Sequence, residues 1–228
     1  MHKALRETKA RFQPAVQEVI QNARGEAAHR AVYEAAFPAY AQTNPMIDMI
    51  FWRRLRVAFD EACRHGGRRV LDFGCGPGLM SEALALAGFS VTAVDLDLSP
   101  MRLLAERIQF SESTKFVEGD LPVLDLEPGS FDIIVALDVL EHISKREPYV
   151  RAFERLLVPG GVVIVSGPTE NWLYRLGRKV AGKEEFTGHF HVCNIYDVAA
   201  SLRERFKVQT VARIIWPATF FEILACHK

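Results

Sequence analysis

The chain has 228 residues, of which 49% are hydrophobic and 25% are charged, as is typical of a globular protein. Its 28 basic and 28 acidic residues cancel, so no overall positive field exists to attract nucleic acid. No apolar run is long enough to span a membrane, and the first residues lack the apolar core of a signal peptide. The four cysteines are scattered, without a CxxC or zinc-binding spacing. We therefore expect a cytoplasmic protein that does not act on nucleic acid.

The first part of the chain, residues 1–66, is predicted to be a helical extension that forms a lid. Apolar residues recur there at three- and four-residue spacing, which is typical of amphipathic helices. The clearest helix covers residues 46–63, with Asn44 as its capping residue and Pro45 at its first helical position. The chain is thus predicted to consist of this extension and a second unit over residues 67–228.

The second unit alternates between strand and helix patterns. The predicted strands cover residues 68–73, 89–95, 114–119, 131–138, 161–167, 206–215 and 218–227. The predicted helices cover residues 78–88, 99–110, 145–158, 171–182 and 194–206, and the third of them stops at Pro159-Gly160-Gly161. Such alternation indicates right-handed crossovers and a parallel sheet with helices on both faces. The last two strands have no helix between them and should form an antiparallel hairpin. We expect a doubly wound α/β fold with a mostly parallel seven-stranded sheet and an antiparallel last strand.

A glycine-rich stretch, VLDFGCGPG, joins the first predicted strand to the first helix after it. Its glycines Gly74, Gly76 and Gly78 make the loop one residue shorter than a dinucleotide-binding G-x-G-x-x-G turn. The Lys-Ser/Thr ending of a P-loop is absent as well. Asp72 at the entrance would repel a phosphate and would suit a cationic ammonium group. The stretch therefore favours a ligand with an amine over a pyrophosphate, and a nicotinamide-dependent oxidoreductase is the weakest of our functional hypotheses.

Acidic residues end the next two predicted strands, Asp95 the second and Asp120 the third. In open α/β sheets, ligands bind at the carboxyl ends of the strands, and an acidic residue at the second strand tip binds ribose hydroxyls. The ligand predicted from these positions carries an amine, a ribose and a base.

Taken together, these motifs resemble those of class I S-adenosylmethionine-dependent methyltransferases. The stretches VLDFGCGPG, VTAVDLD, VEGD, FDIIVALDVLEHI and LLVPGGVVIVSGP occur in the family's order and cover roughly residues 66–227. The small-molecule members of the family, such as the quinone-biosynthesis O-methyltransferases, are similar. The resemblance implies a Rossmann-like methyltransferase fold and S-adenosyl-L-methionine as the cofactor.

The resemblance also implies which residues hold the methionine half of the cofactor. The backbone expected to hold it belongs to Gly74, Cys75, Gly76 and Gly78. Asp72 is expected near the amino group, and Leu137 with Asp138 is expected to close this side. A tyrosine such as Tyr40 folds over the cofactor in relatives, although Tyr40 could instead pack the extension onto the domain.

The adenosine half is expected at the next two strand tips. The resemblance implies that Asp95 binds the ribose hydroxyls and that Leu96 lies against the adenine. Asp120 would accept from the adenine amino group, and the Leu121 N–H would meet the ring. Asp97 is a competing candidate for part of the role of Asp95, because an LDL segment intervenes here before the next helix.

A second group of polar residues follows the fourth predicted strand. Asp138, Glu141 and His142 would share one face if a short helix formed there. We predict His142 and Glu141 as catalytic residues, with His142 positioning the acceptor or taking its proton. One alternative is a metal site with His189 or His191, which is similar to the Glu-x-x-Glu-His pattern of related methyltransferases. Another is structural, with Glu141 capping a helix and His142 bound to a backbone carbonyl. Our assignment includes no metal.

The acceptor is expected to be a small molecule. Residues 172–183 form a cationic amphipathic stretch, which would suit a lipid or quinone-like acceptor approached by peripheral membrane contact. A helix lying on the sheet with solvated cations is the alternative. The predicted function is methyl transfer to an O, N or C nucleophile of such an acceptor, and the other class of hypothesis is a non-catalytic S-adenosylmethionine-binding regulatory protein.

Overall fold

The computed structural model describes residues 2–23, 37–40, 44–169, 193–215 and 219–228. The described helices are α1 (Lys3–Asn22), α2 (Phe37–Tyr40), α3 (Pro45–His65), α4 (Leu79–Leu86), α5 (Ser99–Ala105), α6 (Glu147–Leu156) and α7 (Ile195–Arg203). Short 3-10 turns cover Leu121–Val123 and Leu140–His142. The strands are β1 (Arg69–Phe73), β2 (Ser90–Asp95), β3 (Thr114–Glu118), β4 (Phe131–Leu137), β5 (Leu157–Pro168), β6 (Lys207–Ile215) and β7 (Thr219–His227). The predicted helix at 171–182 lies outside the described residues.

The strands form one seven-stranded sheet in the order β3-β2-β1-β4-β5-β7-β6. The pairs among β1 to β5 are parallel, and β7 is antiparallel to both β5 and β6. The predicted fold class and the closing hairpin are therefore confirmed. The strand order reverses between β1 and β4, and such a switch point opens a crevice at the carboxyl edge of the sheet.

Both faces of the sheet are buried. One hydrophobic cluster joins α1, α3 and α4 to one face, with Phe12, Phe59 and Leu84 fully buried. The second cluster joins α6 and α7 to the opposite face, with Phe153 and Leu202 fully buried. Two covered faces explain why the central strands are almost wholly apolar.

The N-terminal helices share their core with the sheet. Leu5 and Phe12 of α1 belong to the same buried cluster as Leu84 of α4. Arg11 adds an ion pair with the buried Glu82 of α4, at 2.6 Å between Nη1 and Oε1. The boundary near residue 66 stays a prediction, and the described part of the extension packs directly onto the sheet unit.

Two predicted helix ends were wrong. The helix predicted to stop at Pro159 ends at Leu156, and Leu157 already pairs with Phe131 of β4. A proline disfavours helical geometry in the residue before it, so the chain leaves the helix ahead of Pro159. The helix predicted at 99–110 ends at Ala105. Among the described helices, none is long and apolar enough to cross a membrane.

Candidate active site

The glycine loop connects β1 to α4 at the carboxyl edge of the sheet. Its backbone is tied to the neighbouring strand, since the N–H groups of Gly74 and Cys75 donate to the Val94 carbonyl at 2.8 and 3.2 Å. Gly78 has a φ of 81° and immediately precedes α4. The loop is thus held by β2 on one side and by the start of a helix on the other, as the sequence predicted.

Two glycines of the loop meet different surroundings. A Cβ at Gly74 would lie 2.1 Å from Val139 Cγ2, so this glycine permits close packing against the segment after β4. A Cβ at Gly76, where φ is 51°, would meet nothing within 4 Å. Open space therefore lies over Gly76, where a ligand can approach the backbone. This arrangement fits the predicted methionine half of the cofactor.

Asp95 lies beside this open space. The Gly76 N–H donates to its Oδ2 at 2.7 Å, and the Asp97 N–H donates to its Oδ1 at 3.3 Å. Burial is the largest contribution to its raised pKa. Asp97 instead accepts from the Ser99 N–H at 2.8 Å at the start of α5. Hydrogen bonding from the side chain of Ser99, and then from its backbone, lowers the pKa of Asp97. Asp95 is thus the acidic residue that contacts the glycine loop, and its ribose role stays a prediction.

Asp72 lies behind the loop and is only 3% exposed. It accepts a hydrogen bond from Ser81 Oγ of α4 at 2.5 Å. Burial raises its pKa to about 6, and the bond from Ser81 partly opposes this effect. The proximity of Asp95 raises the pKa further. The predicted contact with an ammonium group is untested, and the described partner of Asp72 is a hydroxyl.

The end of β3 lies next to the end of β2. The Gly119 N–H donates to the Asp95 carbonyl at 2.8 Å, which brings Asp120 to the adjacent tip as predicted. Leu96 and Val123 are exposed large hydrophobic residues near these tips, at 68% and 80%. Leu121 is fully buried, and the predicted contact of its N–H with the adenine ring is untested. Sequence reasoning did not identify Val123.

Asp138 has a left-handed backbone with a φ of 54°, the only positive φ among the described non-glycine residues. Ser166 donates to its Oδ1 from Oγ at 2.9 Å and accepts from its N–H at 3.0 Å. Arg54 of α3 forms an ion pair with Oδ2. Both carboxylate oxygens are thus bound within the protein, and Asp138 would close the methionine side through its backbone and that of Leu137.

Arg54 and Ser166 were missed from the sequence. Arg54 is 2% exposed and lies against the rings of both Phe51 and Phe221, at 5.2 and 5.1 Å from their centroids. Arg54 follows Phe51 by three residues, so the sequence already indicated a cation on the apolar face of this helix. A cation on that face requires a buried anion, because charged residues are almost never fully buried unless paired. The sequence therefore indicated that Arg54 has a buried anionic partner, but it did not indicate which acidic residue this is.

Tyr40 contacts the same ion pair. Its hydroxyl accepts a hydrogen bond from Arg54 Nη2 at 3.3 Å, and its ring packs 6.4 Å from that of Trp52. Trp52 is 4% exposed and belongs to the hydrophobic core. Tyr40 is thereby linked through Arg54 to Asp138, and its predicted contact with the cofactor is untested.

The segment after Asp138 departs from the expected geometry. It forms only the 3-10 turn Leu140–His142, and Asp138 lies outside this turn. The expectation that Asp138, Glu141 and His142 share one helix face is therefore wrong. Glu141 is 1% exposed, and its Oε2 would lie 3.8 Å from a Cβ at Gly167.

His142, in contrast, is exposed. The predicted metal alternative also needs His189 or His191, which lie outside the described residues. Within the described ranges, no group of three His, Cys, Asp or Glu residues could hold a metal ion. Catalytic roles for Glu141 and His142 stay predictions.

Comparison with known families agrees with this geometry. The model of the methyltransferase domain family matches residues 71–165, from the glycine-loop strand through β5. These residues are therefore similar to a methyltransferase domain, in agreement with the family resemblance of the sequence motifs. The matched range of the methyltransferase domain contains the glycine loop, Asp95, Asp120 and Asp138.

The similar curated proteins are named ubiquinone biosynthesis O-methyltransferases. The one from Azotobacter vinelandii is 31% identical over 140 residues, covering 60% of this chain and 57% of the relative. The one from Dechloromonas aromatica is 35% identical over 152 residues, covering 64% of this chain and 61% of the relative. The chain thus spans about half to three fifths of the length of the curated relatives it matches.

A solved structure has a similar fold. The crystal structure of magnesium protoporphyrin IX methyltransferase from Synechocystis PCC 6803 aligns with a TM-score of 0.62. Their sequences are 18% identical, and the alignment covers 99% of this chain and 100% of the other. The methyltransferase fold therefore includes the N-terminal helices as well as the sheet.

Proposed function

We propose that this protein transfers a methyl group from S-adenosylmethionine to a small-molecule acceptor. The observation that carries the proposal is the open space over Gly76, bordered by the Asp95 carboxylate and followed by Asp120 at the next strand tip. The family match over residues 71–165 supports the same conclusion and favours catalysis over a purely regulatory role.

S-adenosylmethionine supplies a sulfonium-bound methyl group that an acceptor nucleophile attacks in line with the breaking S–C bond. The residues of this chain bind and orient the two reactants, and alignment of this kind can lower a barrier by about 7–11 kcal/mol. Arg54 and Asp138 keep the segment after β4 closed against the glycine loop through Val139.

We propose that the acceptor atom is a hydroxyl oxygen of a quinone-like compound. The names of the curated relatives support this choice over a nitrogen or carbon nucleophile. A hydroxyl must lose a proton, and His142 is exposed on the turn that follows β4, next to the proposed site. Residues 172–183 lie outside the described residues, so peripheral membrane contact and a cytoplasmic location stay predictions.

Binding of the cofactor is tested by calorimetry with S-adenosylhomocysteine. We expect Asp95→Asn to weaken binding by about 10- to 100-fold, because it removes a charge-assisted hydrogen bond to the ribose. Asp97→Asn is the matched control and should leave affinity unchanged, since asparagine retains the helix-capping bond. Unchanged affinity in Asp95→Asn with a loss in Asp97→Asn would move the ribose role to Asp97. No binding to the folded wild type would refute the proposed function.

Methyl transfer is tested with labelled S-adenosylmethionine and quinone-like acceptors that carry a free hydroxyl group. We expect His142→Ala to lower kcat by about 100-fold or more while S-adenosylhomocysteine binding stays unchanged, because the variant lacks a proton acceptor. His227→Ala, at the opposite edge of the sheet, serves as the control. A His142→Ala variant with wild-type kcat would exclude His142 as the base.

A further inference from the structure

We propose that Tyr149 is a positioning residue that makes the cofactor site selective for adenine. This inference rests on the proposed function, because it concerns the adenosine half of the same site. Tyr149 lies on α6, on the face of the sheet opposite to α3 and α4. Its hydroxyl donates to Asp120 Oδ1 at 2.8 Å. Asp120, the carboxylate predicted to accept a hydrogen bond from the adenine amino group, is thus already hydrogen-bonded to a residue that packs against the core.

The ring of Tyr149 is held by the strand that leads into the glycine loop. It packs against Phe73, the last residue of β1, with ring centroids 5.5 Å apart and planes tilted by 41°. Phe73 in turn packs edge-on against Phe153, also at 5.5 Å. Because these rings are fixed by the core, the hydroxyl of Tyr149 has a defined position relative to the loop.

The backbone of Asp120 is fixed separately. The preceding Gly119 N–H is bound to the Asp95 carbonyl, and the Asp120 carbonyl accepts from the Val123 N–H at 3.0 Å. These backbone hydrogen bonds do not fix the side-chain torsion angles of Asp120, so the carboxylate could still rotate. The hydrogen bond from Tyr149 sets this rotation, so that Oδ1 is occupied and Oδ2 has a defined direction.

The direction of this hydrogen bond is also fixed. Burial and the neighbouring Asp120 raise the pKa of Tyr149 to about 12, so its hydroxyl stays protonated and donates throughout the neutral range. A carboxylate has about four lone-pair sites, so Oδ2 can accept an N–H while Oδ1 is occupied. The amino group of adenine suits this acceptor, whereas the carbonyl oxygen of hypoxanthine would face its lone pairs.

The alternative is that the bond only ties α6 to the end of β3. A purely structural tie would weaken the binding of every purine ligand equally. A positioning role affects adenine and hypoxanthine differently. The ratio of the two affinities therefore separates these explanations.

The experiment measures the affinities of S-adenosylhomocysteine and S-inosylhomocysteine by calorimetry for the full chain. We expect the wild type to prefer the adenine ligand, and we expect Tyr149→Phe to reduce that preference by about 3- to 10-fold, the range set by one hydrogen bond. Tyr196→Phe is the matched control, because Tyr196 donates to Glu222 of β7, a strand that is not a neighbour of β3 in the sheet. It should leave the preference unchanged.

A second variant tests the positioning directly. In Asp120→Asn, the hydroxyl of Tyr149 should hold the amide oxygen and direct the NH₂ group at the ligand, so the preference should shift towards hypoxanthine. Adding Tyr149→Phe should weaken that shift, because the amide is then free to turn. An affinity ratio in Tyr149→Phe equal to that of the wild type, or equal losses for both ligands, would overturn the inference. Absence of binding by the wild type would instead refute the proposed function.

Discussion

At the scale of single residues, Asp72 carries an energetic cost. It is a buried carboxyl whose bound partner is the hydroxyl of Ser81, and burial raises its pKa from 3.8 to about 6. The folded state therefore binds this proton more tightly than the unfolded state does. Its contribution to stability is greatest below about pH 4 and declines as the pH rises to about 6. The cost arises because a group this buried is more stable when neutral. A residue that carries such a cost fits one that is kept for function.

The cost can be measured by comparing Asp72→Asn with the wild type in urea unfolding between pH 4 and pH 7. We expect the variant to gain stability relative to the wild type over this range, by up to about 3 kcal/mol for a pKa difference of about 2 units. The reason is that asparagine has no charge to bury. A difference between the two proteins that does not change with pH would contradict this account.

At the scale of elements, one buried ion pair joins α3 to the end of β4. Arg54 contacts two aromatic rings and pairs with Asp138, whose left-handed backbone is also held by Ser166. An L-residue in this conformation is disfavoured by about 1–2 kcal/mol, so the surrounding bonds must maintain it. The position of α3 and the geometry of the segment after β4 therefore depend on each other.

Replacing Arg54 tests whether the position of α3 and the segment after β4 depend on this ion pair. We expect Arg54→Met to destabilise the fold by about 3 kcal/mol, because Asp138 then loses its counter-ion in a partly buried site. Adding Asp138→Asn should recover part of the loss. Arg53→Met is the matched control, since Arg53 is the exposed neighbour on the same helix. Equal effects of the two arginine variants in urea unfolding would show that the ion pair is unimportant.

At the scale of the whole molecule, the N-terminal helices and the sheet share one hydrophobic cluster. Leu5 and Phe12 of α1 are fully buried in it, and Arg11 neutralises the buried Glu82. A substrate-site cover that moved freely would need fewer such contacts, because mobile elements bury little apolar surface. We propose that α1 is a fixed part of the fold.

Deletion of residues 2–22 tests this proposal. We expect the shortened protein to lose several kcal/mol of stability, because apolar surface of α4 is exposed and Glu82 loses its cation. Arg11→Met in the full chain gives the electrostatic part alone, and Arg6→Met on an exposed position of α1 is its control. A shortened protein with an unchanged urea midpoint would show that α1 is dispensable for folding.

Much of the fold and part of the site could be predicted from the sequence. The ends of β2 and β3 were readable, so Asp95 and Asp120 were correctly expected at adjacent tips, and the glycine loop was expected to face a ligand. The prediction that Asp138, Glu141 and His142 share one face of a helix was wrong. A local pattern assumed an α-helix, whereas the bonds of Asp138 to Ser166 and Arg54 impose a left-handed residue there.

The sequence by itself determined the order of strands and helices, the hairpin at the end, and which residues stand at the strand tips. These follow from local periodicity and from the positions of glycine and proline, which act on neighbours in the chain. Only the tertiary structure decided that Arg54 pairs with Asp138 and that Tyr149 binds Asp120. Such pairs join distant segments, and their geometry depends on how helices pack on the two faces of the sheet, which no local pattern specifies.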